Sequence, residues 1–211
     1  MKDIIAHRGF WLKTSEQNTK VAFERALSNG FGIETDLRDR NQSLVISHDV
    51  PSVDAMPFDT FLGICKHSRK DQKIALNIKA DGLQPLLEEF DIKNEHFYFD
   101  MSVPDMIGFL KKSMNVFSRY SNIEEEPSLY GDCKGIWLDN FNDNKLNLVI
   151  LDKFLKDNKN VVLVSPELHK KDESGYWSDL REFINSNPQW SDNIGLCTDY
   201  PSKARDYFNE K

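Results

Sequence analysis

Eight short runs of apolar, β-branched or aromatic residues recur along the 211-residue chain, at 3–7, 32–37, 73–79, 95–100, 115–119, 135–139, 160–165 and 193–198. Helical patterns mostly separate them, and an extra short run at 44–48 follows the second. Strands that alternate with helices imply a largely parallel sheet, because a parallel pair needs a crossover long enough to carry a helix. No Pro/Gly/Ser-rich linker and no internal repeat divides the chain, so one domain spanning 1–211 is expected. Eight βα units in that length predict an α/β fold, a (β/α)8 TIM barrel near the lower end of its size range.

The connecting helices are legible from spacing. Val21, Ala22, Phe23, Ala26 and Leu27 keep near-helical intervals, Asn29-Gly30 supplies a stop, and Asn18 or Thr19 is the expected cap. Further helices are expected at 61–65, 83–90, 103–112, 146–155, 177–184 and 203–208. Pro127 leaves the one around 124–130 short and poorly formed, with Glu124-Glu125-Glu126 as its solvated start.

Polar residues accumulate where the strands end: His7-Arg8, Glu34 and Asp36, His48-Asp49, Asn77 and Lys79, Asp100, Arg119, Asp139-Asn140, Glu167 and Asp199. In a (β/α)8 barrel those ends converge on the active site, so the pattern predicts one common mouth. Glu34-Thr35-Asp36 lies on an expected strand, whose period of two sends both carboxylates to the same side. Two like charges held so close repel, and a divalent cation stabilises them. An isolated pair of this kind is more often exposed, but Phe31-Gly32-Ile33 and Leu37 flank it with strand-like apolar residues. His7 and His48 follow apolar strands, and imidazoles as a class titrate near neutrality, so the pair could supply a general acid and a general base. Arg8 and Lys79 supply fixed positive charge suited to phosphate oxygens.

These residues fall in four blocks. They are Ala6-His7-Arg8-Gly9, then Asn18-Thr19 leading into Ala22-Phe23 and Ala26, then Gly32-Ile33-Glu34-Thr35-Asp36, then Leu44-Val45-Ile46-Ser47-His48-Asp49. In order, spacing and residue type they resemble the signature of the glycerophosphodiester phosphodiesterases, within the phospholipase-C-like phosphodiesterases. Leu76-Asn77-Ile78-Lys79 resembles that family's third-strand motif, and later segments are similar to a divergent bacterial branch. The resemblance implies metal-assisted hydrolysis of a small phosphodiester in lipid metabolism, with one divalent ion, Mg²⁺ or Ca²⁺. It assigns proton transfer to His7 and His48, phosphate binding to Arg8 and metal binding to Glu34 and Asp36. Lys79 joins Arg8 on the phosphate; Arg119, Asp139, Glu167 and Asp199 are further pocket candidates.

The chain departs from that pattern at two positions. Asn77 stands where the family has a metal-binding Glu, and Gln17 where it usually has Glu before Asn-Thr. Asn77 can ligate through its carbonyl, or Asp100 on the next strand can supply the missing acid. Two rivals follow: a non-catalytic phosphate- or sugar-phosphate-binding barrel with a degenerate metal site, and a lyase releasing a cyclic phosphate. Trp11 and Trp137, expected at the mouth, suit a polyol or sugar head group.

Charge and cysteine usage narrow the partners. A net charge of −7, from 27 basic and 34 acidic residues, opposes a nucleic-acid or anionic-membrane binder. Cys65, Cys133 and Cys197 are widely spaced without a CxxC pair, which predicts reduced thiols in a cytoplasmic protein. The segment Met1 to His7 leaves no room for a signal-peptide apolar region, and no run is long enough to span a bilayer, so neither secretion nor membrane insertion is expected.

Overall fold

Alternation along Ile5–Val116 builds a set of strands that share one edge-to-edge order. A computed structural model describes residues 3–66 and 68–209, so Met1 and Lys2, used above in the signal-peptide argument, lie outside the described residues. The described residues form two compact units, one within 5–116 and one made of 3–4 with 117–209.

In the first unit, β1 (Asp3–His7, from Ile5 onward) is followed by α1 (Lys20–Ser28), β2 (Gly32–Arg40), β3 (Ser43–Ile46) and β4 (Met56–Pro57). Then come α2 (Phe58–Cys65), β5 (Ile74–Ile78), α3 (Gln84–Leu87), β6 (His96–Phe99) and α4 (Val103–Lys111). β2 is the hub. It pairs in parallel with β1, His7 opposite Glu34, and with β5, Asp36 opposite Asn77. Its far end folds back antiparallel on β3, which pairs with β4, and β5 pairs in parallel with β6. Gly32 permits the close approach of β5, since a Cβ there would sit 2.6 Å from the Lys73 carbonyl oxygen. The helices bury their apolar sides on one another and on the strands, with Phe23 edge-on to Phe61 at 4.9 Å, and Phe90 from the loop after α3 lies edge-on to Phe58 at 5.2 Å.

The second unit repeats the parallel pattern as β7 (Phe117–Tyr120), β8 (Gly135–Leu138), α5 (Leu148–Lys156), β9 (Asn160–Val164), α6 (Ser174–Ser186), β10 (Ile194–Thr198) and α7 (Pro201–Asn209). Each of these strands pairs in parallel with the next. Trp177 and Tyr176 of α6 and Phe154 of α5 are buried.

Several expectations need correction. β2 runs to Arg40 and β4 was not foreseen. Val21, expected in the α1 core stripe, is 51% exposed. Thr19 occupies the α1 cap position, yet its hydroxyl donates to the Glu16 carbonyl instead of accepting from the helix. The 83–90 helix is limited to Gln84–Leu87, and 124–130 holds no helix; Glu124, Glu125 and Glu126 are exposed but start nothing. The three cysteines are buried, and burial pushes the Cys65 thiol up to about 12. Among the described residues no helix is long and apolar enough to cross a membrane.

Candidate active site

The end of β1 turns sharply because two successive residues leave the strand with positive φ, Arg8 at 55° and Gly9 at 84°. Only glycine fits at the second position: a Cβ there would lie 2.9 Å from the Ala22 backbone. The turn aims the Arg8 main-chain N–H at Glu34 Oε2, 3.1 Å away, and carries the guanidinium to Asp36, with Nε 3.1 Å from Oδ2. That Nε–H is buried without hydrogen-bond alignment, so the contact is an ion pair in distance only. Nη1 of the same side chain donates to Gln17 Oε1 at 3.4 Å, a neutral contact where an acid would have made a charged one.

Period two on β2 places Glu34 and Asp36 together, 2% and 1% exposed. Parallel pairing sets His7 beside Glu34, with Nε2 3.9 Å from Oε2, and sets Asn77 beside Asp36. Lys79 follows β5, where its N–H donates to the Leu37 carbonyl and its Nζ lies 3.6 Å from Asp36 Oδ1. Asn18, also at positive φ, holds Asp36 from the other direction. Its Nδ2 donates to Asp36 Oδ2 at 2.8 Å, while its Oδ1 accepts from the Thr35 hydroxyl at 2.8 Å. Asn77 Nδ2 donates to Asp100 Oδ2 at 3.3 Å, and Asn77 is 7% exposed. Two oxygens are left buried with no hydrogen-bond donor, Asp36 Oδ1 and Asn77 Oδ1.

Burial, and then the neighbouring Asp36 charge, push the Glu34 carboxyl up to about 7, with His7, Arg8 and Lys79 pulling it back. A carboxyl raised in the folded state stabilises it fully below the ordinary value of 4.5 and loses that contribution as pH rises through about 7. In chelator, thermal melts across that window should therefore show a falling stability that Glu34→Gln abolishes. A saturating divalent cation should flatten the slope as well, and an unchanged slope in Glu34→Gln would assign the effect to another group.

His48 is placed by β3: the Ser47 N–H donates to the Asp36 carbonyl at 3.0 Å, so the next residue leaves the strand beside the acid. Its imidazole Nδ1 lies 2.9 Å from Asp49 Oδ1, which lowers the Asp49 carboxyl pKa, and the ring is exposed rather than in contact with Glu34 or Asp36. His7, Arg8, Glu34, Asp36, Asn77, Lys79 and Asp100 are thus joined by contact, with His48 adjacent in the fold of the same unit. Among the described residues no three His, Cys, Asp or Glu side chains form a metal-binding group.

The remaining candidates belong to the other unit, where they make their own partners. Arg119 pairs with Glu124 and lies 6.0 Å from the Phe141 ring centroid. Asp139 accepts from the Asn140 N–H and meets His169 Nε2 at 2.7 Å. Glu167 accepts from the Ser165 and Thr198 hydroxyls and from the Asp199 N–H, and burial still raises its pKa. That network also takes the Trp177 indole N–H through Ser165, which makes Glu167 a brace for the strand ends. Trp137 is buried, and the Trp11 indole donates to the His7 carbonyl at 3.0 Å. Sequence reasoning missed Asn18 as a holder of Asp36, although it stood in a quoted block, because Asn before a helix reads as a cap. It also missed His169, which follows β9 in a Pro166–His169 turn rather than at a strand end.

No family model matches the chain, and no curated protein does either. Solved structures do. A Galdieria sulphuraria protein assigned to the glycerophosphodiester phosphodiesterases aligns with a TM-score of 0.76 at 16% identity, over 100% of this chain and 98% of its own. The glycerophosphodiester phosphodiesterase of Agrobacterium tumefaciens aligns at 0.66 and 18%, over 98% and 100%. An Oleispira antarctica phosphodiesterase in complex with the product sn-glycerol-3-phosphate aligns at 0.66 and 13%, over 99% and 97%. A Ca²⁺-dependent phosphatidylinositol-specific phospholipase C from Streptomyces antibioticus aligns at 0.57 and 8%, over 98% and 96%. This chain has the (β/α)8-barrel fold of the glycerophosphodiester phosphodiesterases and phosphatidylinositol-specific phospholipase C.

Proposed function

We propose that the chain is a phosphoric diester hydrolase acting on small glycerophosphodiester-like or polyol phosphodiesters with one divalent cation. The observation that carries this reading is the pair of donorless buried oxygens, Asp36 Oδ1 and Asn77 Oδ1, beside the buried Glu34 carboxyl. Leaving a buried polar group unpaired costs about 1–3 kcal/mol, so oxygens kept this way on register-paired residues suit a cation. Glu34, Asp36 and Asn77 offer hard oxygen donors carrying two formal charges, a set that fits Mg²⁺ or Ca²⁺ with water completing the shell. Bound there, the ion would supply Lewis-acid stabilisation of charge on a phosphate oxygen.

The other steps fall to the chain's own groups. Arg8 and Lys79, already drawn to Asp36, provide fixed positive charge for the non-bridging oxygens. His48 has Nδ1 engaged by Asp49, which leaves its second ring nitrogen for substrate, and His7 borders Glu34. One imidazole takes the proton of the nucleophile and the other returns one to the departing alcohol.

Full-length alignment with the barrel phosphodiesterases supports reading 1–211 as one domain, and the sn-glycerol-3-phosphate held by the Oleispira enzyme favours a glycerol head group here. Three widely spaced cysteines without a CxxC pair suit the cytoplasm. Phosphorus NMR of glycerophosphodiesters incubated with the protein and Mg²⁺ or Ca²⁺ tests the activity. A growing phosphomonoester signal is expected. Arrest at a cyclic phosphate would instead make the protein a lyase, and unchanged diester with either ion would favour the non-catalytic phosphate-binding barrel.

A further inference from the structure

The amide at position 77 has one oriented solution. Asp100 Oδ2 lies 3.3 Å from its nitrogen, and a carboxylate only accepts, so the donor end of the amide must face β6. The carbonyl oxygen is then directed away from Asp100, where it is buried and has no hydrogen-bond donor. Asp100 itself stands just past β6 at a φ of 65°, a left-handed conformation that Asp tolerates better than most side chains. Its carboxylate, one strand removed from Asn77 and two from Asp36, draws on the amide N–H and enriches the carbonyl oxygen, as outer partners raise the basicity of metal ligands.

We infer that Asp100 is a positioning residue: it fixes the Asn77 amide and polarises its carbonyl oxygen as a neutral ligand for the divalent ion. The inference rests on the ion site proposed above. In this arrangement the acid absent from the third strand has moved outward by one shell, so that charge still acts on the ion through the amide.

A double-mutant cycle read by calorimetric titration of Mn²⁺ into the full chain separates this role from direct ligation and from a merely structural one. Asp100→Asn, which preserves shape, should weaken binding by about 10–100-fold, with the metal-free circular dichroism spectrum unchanged. Asn77→Ala should weaken it at least as much. Because Asp100 acts through Asn77, the double variant should bind no more weakly than Asn77→Ala alone. Should Asp100→Asn alter the fold, Asp100→Ser in the same cycle carries the test. Wild-type affinity in the folded Asp100 variants would overturn the inference, and so would losses that multiply in the double variant, which would make Asp100 a ligand in its own right. Absence of Mn²⁺ binding by the wild type would remove the ion site itself and the inference with it.

Discussion

Replacing His7 or His48 by alanine should lower the turnover of a glycerophosphodiester by about 10²–10⁴-fold, the usual contribution of one positioned general acid or base. The two substitutions should do so without unfolding the chain. His48 is exposed, with its imidazole bonded among the described residues to Asp49, so its removal opens no core. His7 has 18% of its side chain exposed and lies 3.9 Å from Glu34, at the end of its strand rather than inside the apolar core. Initial rates by phosphorus NMR, with melting curves as a control, measure both effects. Full activity in both variants would place proton transfer on other groups.

Asp36→Ala should abolish measurable binding of Mg²⁺, Mn²⁺ or Ca²⁺ and, with it, activity. Asp36 is the point on which the site converges: Asn18 and Arg8 meet one of its oxygens, Lys79 approaches the other, and its strand partner is Asn77. Removing it takes one of two formal charges from the proposed ligand set and leaves two cations with less to balance them. Removing the buried partner of two partly exposed cations is destabilising, so the variant should also melt earlier. Asp36→Asn retains the shape and separates the two effects: it should keep more of the stability and still lose the ion. Equal binding by wild type and both folded variants would reject the assignment of Asp36 to the ion.

How much of this was written in the sequence depends on whether a residue's role follows from periodicity. Glu34 and Asp36 were legible because alternation on a strand leaves no choice of face, and the order of parallel strands followed from apolar runs separated by helical ones. β2 was read three residues short because Arg38, Asp39 and Arg40 are polar, and β4 is two residues long, too short for any alternation. Pro85 opens α3, and beyond Leu87 the expected 83–90 helix gives way to a loop from which Phe90 packs on Phe58. Asn18 was ambiguous because one side chain type serves both helix caps and carboxylate holders, and only the position of Thr35 and Asp36 decides between them. The direction of the Asn77 amide was beyond sequence reasoning altogether, since it is fixed by Asp100 on a neighbouring strand.

The central claim is that Glu34, Asp36 and Asn77 share one divalent ion. Anomalous diffraction from crystals soaked in Mn²⁺ tests it most directly. The account predicts a single strong peak within ligating distance of Asp36 Oδ1, Asn77 Oδ1 and the Glu34 carboxylate. A well-occupied peak elsewhere, or none at these three oxygens under saturating Mn²⁺, would contradict it.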